Sequence, residues 1–199
     1  SIPGSVELPF AGEEIVAYVD NQYYTVSGGS ATDVGEYEAT LSLRHPDFCH
    51  WSDMTDEDKI IAWSIVPRTI TAADFAPIGD VTYTGQRILP DVVPLEPLTL
   101  DDISYEYGEN VRAGIGTVDI VADGNFTGNV TLEFDILRKG LVLSTFVDGD
   151  GEIAYGSEIP RYEYSFTGFV NGDDETVLTG EVTLSCGYSV GSDVGEYVI

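Results

Sequence analysis

Positive charge is what this 199-residue chain most lacks: eight Lys and Arg stand against 35 Asp and Glu, a formal net charge of −27. So acidic a surface repels nucleic-acid phosphates and anionic lipid head groups, so neither is expected as a partner. A hydrated, solubilising exterior in an exposed compartment is the expectation, with a halophile's acidic coat as the alternative. No run approaches the ~18–20 apolar residues of a membrane span, so no membrane insertion is expected. Cysteine is scarce too: Cys49 and Cys186 lie 137 positions apart, in different expected domains. A disulfide within one domain is thereby excluded. A bridge between domains of an elongated array would not bring Cα atoms within the required ~7 Å. Free, mostly buried thiols that behave as small apolar residues are expected. The two histidines, His45 and His50, share one loop. No Gly-x-Ser-x-Gly elbow, P-loop or dinucleotide fingerprint appears. No catalytic or cofactor-binding residue is therefore assigned, and no cofactor is expected. Neither an initiator Met nor a signal peptide opens the chain, and no wall-sorting tail closes it. The expectation is a mature or partial chain whose attachment lies elsewhere.

What is present is apolar and patterned. At 43% hydrophobic and 11% aromatic residues, the chain can build packed cores and is not expected to be disordered. In 130–136, Val130, Leu132, Phe134 and Ile136 share one side, while Thr131, Glu133 and Asp135 share the other. Period-two alternation of this kind predicts a strand with one buried and one wet face. Gly85, Gly108, Gly116, Gly124 and Gly128 divide 83–136 into short strands joined by turns. Residues 1–66 read as a first unit: short strands at 6–10 and 15–19, then 23–28, a strand carrying Tyr37, Ala39, Leu41 and Leu43, a loop over 44–58, and a closing strand with Ile61, Trp63 and Ile65. Pro67-Arg68 is a joint. The segment 89–97 holds Pro90, Pro94 and Pro97, which donate no ladder hydrogen bond, so it should be an edge strand or an extended loop. Arg138-Lys139-Gly140 is a second joint. Beyond it Tyr162, Tyr164 and Phe166 alternate, and Val182, Leu184, Cys186, Tyr188 and Val190 predict another strand.

Several pieces resemble a known family. Tyr83-Thr84-Gly85, then Gly114-Ile115-Gly116-Thr117-Val118, then Asn125-Phe126-Thr127-Gly128 and the alternating strand look like bacterial immunoglobulin-like MBG repeats. In the last third, Tyr155-Gly156 through Pro160, Gly168-Phe169-Val170-Asn171-Gly172-Asp173 and Leu178-Thr179-Gly180 resemble the YGX variety. Residues 23–43, Trp51-Ser52-Asp53 and 61–65 look like a related repeat. The resemblance implies tandem modules of a secreted or wall-attached adhesin-like protein, extracellular and non-enzymatic. Counting supports a repeat near 80 residues: 81 positions separate Gly35 from Gly116, and 79 separate Gly116 from Gly195. Each of these glycines is expected where a side chain would clash or where φ is positive. The fold class expected is all-β: tandem small immunoglobulin-like antiparallel β-sandwiches at 1–66, 67–138 and 139–199, the last one incomplete. An incomplete sheet would leave an open edge able to pair with a foreign strand.

Candidate sites are few. Asp148, Asp150 and Glu152 resemble the start of a calcium loop but lack the later bidentate Glu, so a hydrated Asp-Gly turn is the competing reading. His45, Asp47, Cys49 and His50 could serve zinc, against a plain surface loop with Cys49 or Phe48 tucked inward. Carboxylate pairs such as Asp101-Asp102 and Asp173-Asp174 are what an acidic composition produces anyway. Asn125 and Asn129 head glycosylation sequons, but turn and strand chemistry accounts for both. Lys59 and Lys139, the two lysines, suit no buried isopeptide crosslink. The function expected is a stalk or spacer. The alternative is that one repeat binds a host glycan or glycoprotein directly.

Overall fold

The computed structural model describes residues 2–147, 149 and 151–199. It is all-β, with fourteen strands and three short 3-10 turns among the described residues. Among the described residues, no helix is long and apolar enough to cross a membrane. The chain divides into two compact units. The first comprises Ser1–Gly79, Leu89–Glu109 and Gly116–Phe134; the second comprises Asp80–Ile88, Asn110–Ile115 and Asp135–Ile199.

The first sheet belongs wholly to the first unit. Its order is β1 (Glu7–Pro9), β6 (Lys59–Val66), β5 (Gly35–Leu43), β3 (Tyr24–Ser27). Strands β5 and β6 run antiparallel, from Gly35 opposite Ile65 to Leu41 opposite Lys59, and β3 pairs antiparallel with β5. Alternation does what period two dictates: Ala39, Leu41, Ile61, Trp63 and Ile65 are buried between exposed Glu38, Ile60 and Ala62. Tyr37 and Trp63 are cross-strand partners with ring centroids 4.9 Å apart. The buried indole is not left unsatisfied, because its Nε1 donates to the carbonyl of Gly28 at 3.0 Å. Strands β2 (Ile15–Val16) and β4 (Ser30–Ala31) form a small separate ribbon. Pairing is not wholly antiparallel: β1 runs parallel to β6 on the sheet's edge.

Beyond Val66 the chain passes Pro67 directly into β7 (Arg68–Thr69), which pairs parallel with β11 (Phe126–Thr127). The second sheet has the order β8 (Val81–Thr82), β12 (Asn129–Leu137), β10 (Gly114–Ala122), β9 (Ile103–Tyr107). In the first unit its buried side chains include Val118, Ile120, Leu132 and Phe134, with Ile70, Phe75, Val92 and Leu98 from the flanking loops. The proline-rich 89–97 is an extended loop with one bridge, Phe75 to Pro94, and it contributes Val92 to the core.

Among the glycines expected to be conformationally required, Gly116 is the clear case: a Cβ there would lie 2.5 Å from the Phe134 ring. Gly35 is tight, its Cβ position 3.3 Å from the Tyr37 hydroxyl. Gly195 corrects the expectation, since nothing lies within 4 Å and its φ is not in the left-handed range.

In the second unit, β8 runs parallel to the far end of β12, Val81 opposite Ile136. The next pair is β13 (Val142–Val147) with β14 (Tyr162–Thr167), antiparallel from Val142 opposite Thr167 to Val147 opposite Tyr162. This two-stranded sheet is the whole of the regular β structure after residue 141 among the described residues. The predicted strand at 182–190 is absent. Its alternation survives, with Val182, Leu184, Cys186 and Tyr188 half-buried between exposed neighbours. What it lacks is a ladder: the β13–β14 sheet ends at its two strands, and a strand exists only where backbone groups find a partner chain. The buried apolar core accordingly stops at Ile136.

Replacing Gly116 by Ala should lower unfolding stability by about 1–3 kcal/mol, because the methyl must displace the Phe134 ring. That clash has to exceed the ~0.5–1 kcal/mol that alanine ordinarily gains over glycine within a strand. Gly195→Ala should stay within about 0.5 kcal/mol of the parent. Urea unfolding of the two variants checks both, and equal midpoints would contradict the assignment.

Candidate functional site: a cationic hollow in the second unit

A hollow of about 490 Å³ opens in the second unit. Its walls come from four places: Tyr83 just past β8, Arg112 and Ala113 before β10, Arg138, Lys139 and Leu141 after β12, and Phe169, Val170, Asp173, Val177 and Leu178 beyond β14. Three of the chain's eight basic residues therefore converge here, with Asp173 the single acid among the lining residues. Leu141, Phe169, Val177 and Leu178 supply apolar surface. Cations above an apolar floor suit a carboxylate or sulfate carried on a ring or a hydrocarbon.

The hollow is fixed by two separate sequence motifs, Tyr83-Thr84-Gly85 and Asn171-Gly172-Asp173. Tyr83 Oη donates to Asp173 Oδ2 at 2.8 Å, and Asn171 Nδ2 donates to the carbonyl of Gly85 at 2.7 Å. Gly85 must be glycine, since its φ is +76° and a Cβ would fall 2.3 Å from Asn171 Cβ. The Tyr-Thr-Gly and Asn-Gly-Asp segments thus hold each other. Acceptance by Asp173 raises the Tyr83 pKa above the ordinary tyrosine value of 10.0, chiefly through that hydrogen bond; Arg112 opposes the shift.

No lining residue is a histidine, cysteine or serine. The sequence reading assigns Arg138 and Lys139 to a joint and gives Arg112 no role. The available signal was their clustering: three of eight cations within 112–139 of a chain at −27.

The sequence-predicted candidates are placed elsewhere. Asp148 and Asp150 lie outside the described residues. Glu152 lines a second, open cleft of about 680 Å³ together with Tyr155, Tyr162, Cys186, Tyr188 and Tyr197. There the Tyr162 hydroxyl and Cys186 Sγ are 2.8 Å apart, a contact that raises the Tyr162 pKa. In the 44–58 loop, Cys49 Sγ donates to the His45 carbonyl at 2.9 Å and His50 Nδ1 lies 2.8 Å from the Trp51 carbonyl. These side chains bond to backbone rather than converge, and among the described residues no three His, Cys, Asp or Glu are grouped to hold a metal.

Two expectations are corrected in this loop. Both cysteines are free but only half-buried. Phe48 is 90% exposed, and Trp51 instead turns inward, its Nε1 donating to the Glu57 carbonyl at 2.8 Å. Lys59 Nζ holds Asp53 at 2.8 Å, which with Thr55 draws the Asp53 pKa down to about 2. The carboxylate pairs do separate work. Asp102 accepts from Thr99 at the start of a 3-10 turn, Asp174 caps Glu175–Val177, and Asp173 serves Tyr83.

The Tyr83 shift has a defined sign. Raising a phenol's folded-state pKa stabilises the fold below the ordinary tyrosine pKa, and that contribution fades as pH rises through the raised value. Asp173→Asn should return Tyr83 toward the ordinary value of 10.0 and leave the other tyrosines unmoved, read by ¹³Cζ NMR titration.

No curated protein matches this chain. Residues 145–199 match the family model of the MBG domain (YGX type), which bears out the resemblance read from Tyr155-Gly156, Gly168–Asp173 and Leu178–Gly180. In that segment the chain is similar to MBG domains, a non-enzymatic repeat kind typical of adhesin-like surface proteins.

Proposed function

We propose that this chain is a repeat region of a bacterial adhesin-like protein at the cell surface or wall, acting as a stalk or spacer. Its repeats are read as 1–66, 67–138 and 139–199, in tandem. A spacer must transmit length without slack, so its joints matter more than any pocket. The observation that carries the reading is the joint inside the first unit. Asn125 Oδ1 accepts from Val34 N at 2.8 Å, and Asn125 Nδ2 donates to Asp33 Oδ1 at 3.1 Å. Phe126 packs edge-on against Phe10 at 5.2 Å, with the Arg68 guanidinium 5.1 Å from its ring centroid. Arg68 N also donates to the Asn125 carbonyl at 3.1 Å. Under the tandem reading, these contacts clamp the first repeat to a turn of the second, with no linker between them. The net charge of −27 keeps such modules hydrated and mutually repelling.

A second reading is favoured by one specific observation, the cationic hollow. Under it, the second unit binds an acidic host glycan or glycoprotein. A screen of the fragment against neutral, sialylated and sulfated glycans and mucin separates the two readings. A blank screen is expected. Saturable binding of an acidic glycan, lost when Arg112, Arg138 and Lys139 are replaced by Ala, would overturn the spacer reading in favour of the adhesin.

Asn125→Ala removes both clamp hydrogen bonds and should cost about 1–3 kcal/mol of stability, at ~0.5–1.5 kcal/mol for each bond. Trypsin should cut after Arg68 several-fold faster in the variant, followed by mass spectrometry. An unchanged rate would show that the amide clamp does not hold the joint.

A further inference from the structure

The pentapeptide Asp-Val-Gly-Glu-Tyr occurs twice, at 33–37 and 193–197. Its two copies close in the same way. Tyr37 Oη donates to the Asp33 carbonyl at 2.7 Å, and Tyr197 Oη to the Asp193 carbonyl at 2.7 Å. Each ring rests against an aromatic neighbour, Trp63 at 4.9 Å and Tyr188 at 5.5 Å. A hydroxyl bonded to the carbonyl four residues back constrains the intervening turn. The same sequence with the same closure offers the same pair of groups: a carboxylate from the first residue and a backbone N–H from the second.

In the first copy that pair is occupied. One amide side chain, Asn125, accepts from Val34 N and donates to Asp33 Oδ1. A side-chain amide does both at once from one short arm. The adjoining Phe126 is buried to 2% exposure. In the second copy Val194 is 90% exposed and Val198 87% exposed. Both border the 680 Å³ cleft that Tyr155, Tyr188 and Tyr197 also line.

We propose that Asp193-Val194 is the docking site for an Asn-Phe-Thr-Gly turn of a neighbouring sandwich module, whose asparagine bridges the Val194 N–H and the Asp193 carboxylate while its aromatic ring enters the tyrosine-lined cleft. The occupant is another module, since this chain's own Asn125 already has both ends of its amide engaged. The inference rests on the tandem-repeat reading and adds the groups by which a module is held.

The test uses the full chain, ¹⁵N-labelled, titrated with a backbone-cyclised hairpin of the 121–130 sequence. The amides of Val194 and Gly195 should shift saturably. A hairpin with Ala in place of its Asn125 should bind about tenfold more weakly, as expected for losing two hydrogen bonds, one of them to a charged group. Asp193→Ala in the chain should weaken binding similarly while keeping the Tyr197 bond, which goes to a backbone carbonyl. No shift at Val194, or equal shifts from the two hairpins, would overturn the proposal. So would a concentration-dependent dimer that shifts Val194 without peptide, which would give the face to a second copy. The glycan screen is independent: a hit there removes the spacer reading, whereas a silent Val194 removes only the dock.

Discussion

Phe126 lies edge-on to Phe10, and most of what is firm in the first unit follows from that contact. Small β layers bury only a modest share of their apolar surface on their own. In the first unit Phe126 closes over Phe10. Phe126 comes from a two-residue strand that could not stand alone, yet it is among the most buried side chains of the molecule. Its position is set on both sides, by parallel pairing of its strand with Arg68-Thr69 and by the amide of Asn125 on Asp33 and Val34. Burial and polar contact therefore fix the same geometry, and each would be weaker without the other.

The second unit shows the converse. Its aromatic residues are plentiful, and several pair edge-on, as Tyr164 with Phe166 and Phe166 with Phe169. Yet among its described residues beyond Ile136 no apolar side chain is fully buried. Two strands give a surface, not an interior, because a sheet needs a second layer before its inner face is covered. Order in this region is carried instead by local polar contacts: Tyr188 Oη on the Ser157 carbonyl at 2.7 Å, Tyr197 on Asp193, and Asn171 on Gly85.

The long strands were legible in the sequence because their signal is local. Tyr37, Ala39 and Leu41, and again Ile61, Trp63 and Ile65, announce both the element and the face it buries. The parallel edges β1–β6, β7–β11 and β8–β12 were not legible, since two or three residues carry no periodicity and their partner is chosen by tertiary packing. Residues 182–190 show the limit most plainly: alternation reports which side is apolar but cannot report whether a ladder exists. Trp51 rather than Phe48 turns inward because the indole N–H finds the Glu57 carbonyl, an option a phenyl ring lacks. The cationic hollow was legible only in part. Arg138 and Lys139 are adjacent in the sequence, but Arg112 belongs to another segment, and the fold brings it to them.

Asn125 heads an Asn-Phe-Thr triplet, and its side-chain nitrogen is the atom that donates to Asp33. That same nitrogen is where a eukaryotic oligosaccharyltransferase would attach its sugar. Material secreted from yeast or mammalian cells would carry a bulky substituent inside the joint, whereas bacterial material would not. The expression host thus decides whether the Asn125 side chain can reach Asp33 and Val34 at all.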